Sequence, residues 1–337
     1  MIIASCARPL QPRTWEEALP HLPEAVRASI QHNVPLAPYT TLRVGGPADL
    51  FIEARDTDTL TAVVAIAQRF QLPHFILGEG SNICVSDAGV RGLVVRNACQ
   101  NAQIGTTTYA DCGYNLMRLF QKSLHAGLSG LEFAVGIPGT VGGALVSNAG
   151  AYRSNICDLV QQIEVVEQGE RRWVGPEWME FSYRDSRLRR GGKPPATLLG
   201  VQLRLTPGSR AHIRARAREL QLQRIRKQPW QPSAGSFFKN VYDRALAESL
   251  PGLPSPLREA GVVPAAYLSE ACGFKGLIIG RAGVSVKHAN FIVNLGGATA
   301  ADIRAVAQTV KQGVLNRFGV LLEEEVLYVG AWPNGTG

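Results

Sequence analysis

The sequence predicts an α+β fold organised in two or three domains, and three observations predict it. The chain has 337 residues, more than a single ordinary hydrophobic core accommodates. Between Leu50 and Asn82 a strand pattern, a helix pattern and a second strand pattern run into a glycine loop. A second unit begins near Asn97, and strand-like segments then alternate with turns to about Leu205.

The elements follow in order. Residues 1–31 are rich in proline and polar residues, carry little periodic pattern, and read as an extension packed on the surface. Val44-Gly45-Gly46-Pro47 is a turn and Leu50-Phe51-Ile52-Glu53-Ala54 a strand. Leu60, Val63, Val64, Ala67 and Phe70 recur at helical spacing, with Thr57 or Asp58 as the cap. His74 to Leu77 forms the next strand. Leu116, Leu119, Phe120 and Leu124 mark a helix ending at Gly127, the residue best suited to a left-handed C-terminal position. A glycine-rich passage then extends to Tyr152. A basic helix over 210–227 stops before Pro229, because proline disfavours helical geometry in the residue before it. Phe291-Ile292-Val293-Asn294 reads as a strand. The final helix is capped by Thr299, aligns Ile303, Val306, Val310 and Val314 on one face, and ends at Gly319.

Composition narrows the function classes. With 45% hydrophobic and 18% charged residues the chain has the material for a large core, and disorder is not expected. No run approaches the roughly 18 apolar residues of a membrane span. The start, Met1 to Cys6, superficially resembles a lipoprotein cleavage box but lacks a basic segment and an apolar stretch of signal-peptide length, so a cytoplasmic protein is expected. Six cysteines and six histidines lie scattered singly, which argues against a disulfide framework and against a structural metal. The net charge of +8 suits either nucleic acid or an enzyme whose ligands carry phosphate. The basic helix has no aromatic residue interleaved with its arginines, which favours the phosphate-ligand enzyme over a nucleic-acid platform.

Five motifs carry chemistry. Gly78-Glu79-Gly80-Ser81-Asn82 and Gly136-Ile137-Pro138-Gly139-Thr140-Val141-Gly142-Gly143 are read as loops whose bare backbone offers N–H groups to a pyrophosphate, the alternative being two tight turns. Neither is a dinucleotide-binding fingerprint opening a helix, and no P-loop occurs, so a nucleotide must be held by another fold. Ser233-Ala234-Gly235-Ser236-Phe237-Phe238-Lys239-Asn240 offers a hydroxyl for proton donation, with Lys239 and Asn240 to hold an anionic or polar ligand. A turn with a capping serine is the plainer reading of that segment. Tyr183-Arg184-Asp185-Ser186-Arg187 presents a permanently charged fork, or simple surface charge. Glu323-Glu324-Glu325-Val326 opens a strand-like segment in which one carboxylate can face inward beside Arg184.

Taken in chain order, with Thr41-Leu42-Arg43-Val44-Gly45-Gly46-Pro47-Ala48 ahead of them and Asn148-Ala149-Gly150-Ala151-Tyr152 between, these motifs resemble the UDP-N-acetylenolpyruvoylglucosamine reductase family from about Asn33 to Gly330. The resemblance implies a two-part FAD-binding domain of the vanillyl-alcohol-oxidase type plus a smaller α/β substrate-binding domain. The implied divisions are 32–97 and 98–227 for the FAD subdomains and 228–325 for the substrate domain, with 326–337 returning to the first. It implies non-covalent FAD lined by Gly78, Glu79, Gly80, Ser81, Asn82, Gly136, Ile137, Pro138, Gly139, Thr140, Gly142 and Gly143, with Thr41, Arg43, Val44, Gly45, Asn148, Gly150 and Ala151 nearby. By the same resemblance Ser236 matches the proton donor, and Arg184 with Glu325 the pair that polarises the enolpyruvyl carboxylate. Tyr183, Lys227, Asn240 and His288 fall at contacts to the nucleotide-sugar. The implied reaction passes a hydride from NADPH through FAD to the enol-ether double bond, with a small-molecule substrate, no nucleic acid, no membrane insertion and a monomer expected. Two departures stand out: Val241 follows Asn240 where the family has proline, and the segment from Tyr242 to Ala266 is long. The short stretch Arg190 to Ala196, with Ser285-Val286-Lys287-His288-Ala289-Asn290, resembles the subgroup lacking a tyrosine-bearing lid insertion.

Overall fold

The computed structural model describes residues 14–332. Its first layer is a four-stranded sheet in the order Gln31–Pro35, Pro47–Ala54, Val90–Asn97, His74–Leu77. The first pair is antiparallel and the other two are parallel. The parallel pairing follows from the intervening helix Thr57–Arg69, which carries the chain back across the sheet. That helix buries Leu60, Val63, Val64 and Ala67 against Leu50, Ile52, Leu93 and Val95. Its cap is Asp56, whose side chain accepts from the Thr59 amide at 2.7 Å, rather than Thr57 or Asp58. A carboxylate at this end also complements the helix dipole.

Part of the presumed surface extension belongs to this layer. Trp15, Ala18 and Leu22 are buried in the same cluster as the helix Thr57–Arg69, and the Trp15 indole donates to the Pro73 carbonyl at 2.8 Å. Two aliphatics and one aromatic spaced over eight residues give too weak a periodicity to be read from sequence. Residues 1–13, including the Met1 to Cys6 start, lie outside the described residues.

A five-stranded antiparallel sheet forms the second layer, ordered Glu170–Val174, Val160–Glu167, Ala196–Arg204, Thr107–Asp111, Ala102–Gln103. The helices Leu116–His125 and Arg210–Lys227 pack on it through Leu116, Leu119, Phe120, Ile213, Ala217 and Leu220. Gly127 stands at φ 71 just beyond the first of these, as its glycine identity requires. Within the glycine-rich passage sits a helix the sequence conceals, Val141–Val146, capped by the Thr140 hydroxyl accepting from the Gly143 amide at 3.1 Å. Two glycines in six residues disfavour a helix locally. Tertiary contact demands one of them, since a Cβ on Gly142 would lie 2.9 Å from the Cys112 carbonyl oxygen.

The third part contains the antiparallel strands Ile278–Ile279, Ala282–Val284 and Ile292–Asn294, backed by the helix Ala300–Phe318. That helix is capped by Thr299 and Asp302 in a reciprocal box, buries Ile303, Val306, Val310 and Val314, and closes on Gly319 at φ 69. Its core is shared with the first layer through Leu42, Val44 and Cys84. The Asp87 carboxylate accepts from the Ala300 and Ala301 amides at 2.8 and 2.9 Å, and the Asn294 amide donates to the Leu42 carbonyl at 2.9 Å. Beyond Phe318 the chain returns, and Leu327–Val329 pairs in parallel with Ile83–Val85. The acidic run itself is not a regular strand: Glu324 makes one bridge to Phe238 and Glu325 lies in a bend. The long segment after Asn240 folds into the pair Val241–Tyr242 and Val262–Val263, with the helices Arg244–Ser249 and Ser255–Glu259 between.

Candidate active site

The two glycine loops face one another and are joined by side chains. Glu79 accepts from the Asn115 side-chain amide at 2.6 Å and from the Gly139 amide at 3.1 Å, while Ser81 donates to the Pro138 carbonyl at 3.1 Å. The contact is close: a Cβ on Gly78 would stand 2.7 Å from the Thr140 hydroxyl, and one on Gly139 2.8 Å from that of Ser81. A Cβ on Gly80, which stands at φ 59, would fall 2.3 Å from the Tyr39 carbonyl oxygen.

The amides of the two loops differ. Among the described residues those of Glu79, Gly80 and Ser81 donate to no protein acceptor, so a run of three N–H groups is available to an anion. In the second loop Ile137, Gly139, Val141, Gly142 and Gly143 donate to Ala134, Glu79, Tyr114, Cys112 and Thr140 respectively. The expectation of free N–H groups therefore holds for those three amides of the first loop, whereas in the second most amides hold the loop's own shape and only those of Gly136 and Thr140 donate to no protein acceptor among the described residues. Alongside the first loop a cleft of about 510 Å³ is lined by Thr41, Arg43, Gly78, Glu79, Arg96 and Trp230, the last almost wholly exposed. Its floor is fixed by the Thr41 amide donating to Gly80 and the Val44 amide to the Thr40 hydroxyl. Free amides, an arginine pair and an aromatic plane in one cleft suit the diphosphate and rings of a dinucleotide.

At the other end of the first loop three remote segments meet. Arg184 occupies a turn in which Ser182 and Asp185 exchange hydrogen bonds, and its backbone is held left-handed at φ 53. Such a conformation costs about 1 kcal/mol or more in a non-glycine residue, so surrounding contacts must impose it. Those contacts are visible. The Arg184 guanidinium donates to the carbonyls of Asn148, at 3.3 Å, and Gly150, and Asn148 in turn donates to the Ser182 carbonyl at 2.8 Å. Asn148 and Gly150, expected near the cofactor, thus also orient Arg184. Arg184 Nε lies 3.2 Å from a carboxylate oxygen of Glu325.

Glu325 is tied to the Ser236 segment through its main chain, its amide donating to the Phe237 carbonyl at 2.8 Å. Ser236 follows Gly235 at φ 77, is half-buried, and its hydroxyl has no partner among the described residues. Phe237 and Phe238 beneath it are buried and set edge to face. Burial raises the Glu325 carboxyl above its ordinary range, and Arg184, Arg189 and Lys239 oppose that rise. Lys239 is itself paired with Glu323 at 2.6 Å. Tyr183 packs edge to face on Tyr242 with ring centroids 5.1 Å apart, and burial raises its phenol, countered by Arg184. Asn240 accepts from the Ala265 amide at 3.3 Å, which orients its side chain. Lys227 is near enough to influence His288: burial lowers the imidazole first and the charges of Lys275 and Lys227 lower it further.

Comparison with known proteins decides the family. The family model "UDP-N-acetylenolpyruvoylglucosamine reductase, C-terminal domain" matches residues 227–329, and "FAD binding domain" matches 48–174. The UDP-N-acetylenolpyruvoylglucosamine reductase of Anoxybacillus flavithermus is 37% identical over 320 residues, covering 94% of this chain and 99% of its own. Reductase 2 of Symbiobacterium thermophilum is 40% identical, over 90% of this chain and 93% of its own. The chain belongs to the UDP-N-acetylenolpyruvoylglucosamine reductase family. The crystal structure of the Thermus caldophilus reductase superposes with a TM-score of 0.72 at 33% identity, over 90% of this chain and 99% of that one. This reductase-family chain is accordingly an oxidoreductase of α+β class, its FAD-binding domain of the vanillyl-alcohol-oxidase type and followed by a C-terminal domain. The three free amides and the cleft beside them fit that cofactor. No helix among the described residues is long and apolar enough to cross a membrane.

Two residues of this reductase-family site escaped the sequence reading. Arg224 is half-buried, lies over the Tyr152 ring at 5.7 Å, and would meet a Cβ on Gly136 at 3.0 Å. A signal existed, for Arg224 continues the buried stripe Ile213, Ala217, Leu220 at helical spacing. Arg189 carried no such signal within its arginine-rich run, yet its side chain is only 6% exposed.

Proposed function

We propose that this chain reduces the enolpyruvyl double bond of UDP-N-acetylglucosamine enolpyruvate to UDP-N-acetylmuramate, with NADPH as electron donor, in the synthesis of a peptidoglycan precursor in the cytoplasm. The observation that carries the reading is the convergence of three remote segments, in which Glu325 pairs with Arg184 by its side chain and with Phe237, next to Ser236, by its main chain. Relatives bearing the reductase name across nearly the full chain support it.

The Glu79 to Ser81 amides, with Thr41, Arg43 and the 136–143 loop beside them, would hold FAD, which would supply hydride transfer from NADPH to the methylene carbon of the enol ether. The rest falls to the protein. Arg184 binds the substrate carboxylate and stabilises the negative charge that gathers at the adjacent carbon, as a preorganised donor in a site largely closed to water. An ionised Glu325 would oppose that charge, so its raised pKa is functional: a carboxyl that keeps its proton, or shares one, assists instead. Ser236, whose hydroxyl is otherwise unengaged, gives its proton to the carbon bearing the carboxylate. Tyr183 and Asn240 hold the sugar side of the nucleotide, Lys239 the charge near it, and Lys227 with His288 the diphosphate. The division into 32–97, 98–227 and 228–325, the absence of a tyrosine lid, and a monomeric state complete the reading.

The decisive experiment separates the half-reactions. The purified protein should be yellow, bleach with NADPH under anaerobic conditions, and recover colour when the enolpyruvyl substrate is added. A flavin-free preparation that cannot be reconstituted, or a reduced flavin indifferent to that substrate, would end the proposal.

A further inference from the structure

The peptide group of Glu325 is a junction. Its amide donates to Phe237, and its carbonyl accepts twice, from the Asn82 side chain at 3.0 Å and from Arg189 at 2.8 Å. Arg189 also donates to the Glu324 carbonyl at 3.3 Å, and its Nε stands 3.9 Å from Asp185. The other terminal nitrogen of the guanidinium is buried without a partner. A permanently charged group so enclosed is expensive to bury, and two main-chain carbonyls with one distant carboxylate offset that cost incompletely. The residue that gains is Glu325, fixed in place by neutral Asn82 from the flavin loop and by cationic Arg189 from the Arg184 turn.

We propose that Arg189 is a positioning residue for Glu325, holding its main chain so that its carboxyl meets Arg184 and adding its positive charge to those of Arg184 and Lys239. The inference rests on the proposed reductase chemistry. The charged and titratable groups facing Glu325 are Arg184, Arg189 and Tyr183 from the 183–189 turn, and Lys239 from the Ser236 segment. Glu323 and Glu324 beside it are engaged by Lys239 and Lys311, at 2.6 Å each. Removing Arg189 therefore withdraws one of three cations that keep the Glu325 proton from being held still more tightly.

The test uses the full-length holoenzyme and follows both half-reactions across pH in Arg189→Met and Arg189→Gln. The expected result for Arg189→Met is flavin reduction by NADPH at the wild-type rate, but reoxidation by UDP-N-acetylglucosamine enolpyruvate slowed about tenfold, as loss of a charge-assisted hydrogen bond predicts. The alkaline limb of reoxidation should move to higher pH in both variants, because both remove the charge. Arg189→Gln keeps a donor for the carbonyl and should recover part of the rate, and it serves as the folded alternative if Arg189→Met is unstable. An unmoved limb in Arg189→Gln, or equal losses in both half-reactions with loss of bound FAD, would overturn the assignment. A wild-type enzyme that the substrate fails to reoxidise would instead defeat the underlying reductase reading.

Discussion

Arg184 and Glu325 lie 141 positions apart in the chain and stand 3.2 Å apart in the fold, both largely buried. Neither acidic neighbour could replace Glu325 there. Glu323 is taken by Lys239 and Glu324 by Lys311, so each member of the run is bound to a different element. The contact with Glu325, the left-handed backbone of Arg184 and the carbonyls that hold its guanidinium together specify one orientation for the charge.

Substituting Ser236 by alanine should leave NADPH reduction of the flavin intact and slow substrate-dependent reoxidation by orders of magnitude, since only the second half-reaction needs the proton. Rapid-mixing absorbance at the flavin band measures both. A full-speed reoxidation would remove Ser236 from the role.

The pH dependence has a definite sign. Burial holds the Glu325 carboxyl above its ordinary value, so the protonated form persists as pH rises past that value and is lost on passing the raised one. The protein's stability contribution from this group follows the same course, fully present below the ordinary value and lost as pH rises through the raised value. Reoxidation should therefore decline on the alkaline side. Glu325→Gln should abolish that limb while lowering the plateau, which a pH series of single turnovers would reveal.

Gly80→Ala should cost the protein its flavin. The residue sits at φ 59 and the new methyl carbon would fall 2.3 Å from the Tyr39 carbonyl oxygen, so the loop carrying the three free amides must move. The expected outcome is a colourless or weakly yellow preparation whose far-ultraviolet circular dichroism is close to wild type. Retention of FAD at full occupancy would place the cofactor's anchoring elsewhere.

Trp15→Ala should destabilise the protein by about 3 kcal/mol, the ordinary consequence of emptying a buried aromatic site. It removes a 4% exposed indole and its hydrogen bond to Pro73, in a core cluster separate from the one that holds Phe237 and Phe238. Thermal unfolding should fall to lower temperature with turnover at low temperature little changed. A neutral effect on stability would mean that residues 14–22 pack without contributing.

Much of this was legible in the chain. The helices Thr57–Arg69, Leu116–His125, Arg210–Lys227 and Ala300–Phe318 follow from apolar spacing, caps and terminating glycine or proline, all local signals. The helix Val141–Val146 was not, because its glycines are selected by the approach of Cys112 and not by helix propensity. Arg184 and Arg189 look alike in a basic run. One is turned onto a carboxylate and the other onto carbonyls by segments more than a hundred residues distant.

The sequence by itself determined the long helices and several strands, the motifs and, through their order, the family, because periodicity, turn chemistry and motif identity are properties of short windows. Only the tertiary structure decided which glycine loop keeps its amides free, which of three glutamates faces inward, and that Trp15 is core. Those outcomes depend on which groups meet across long loops, where each hydrogen bond and each buried charge is settled by its partner and not by its neighbours in the chain.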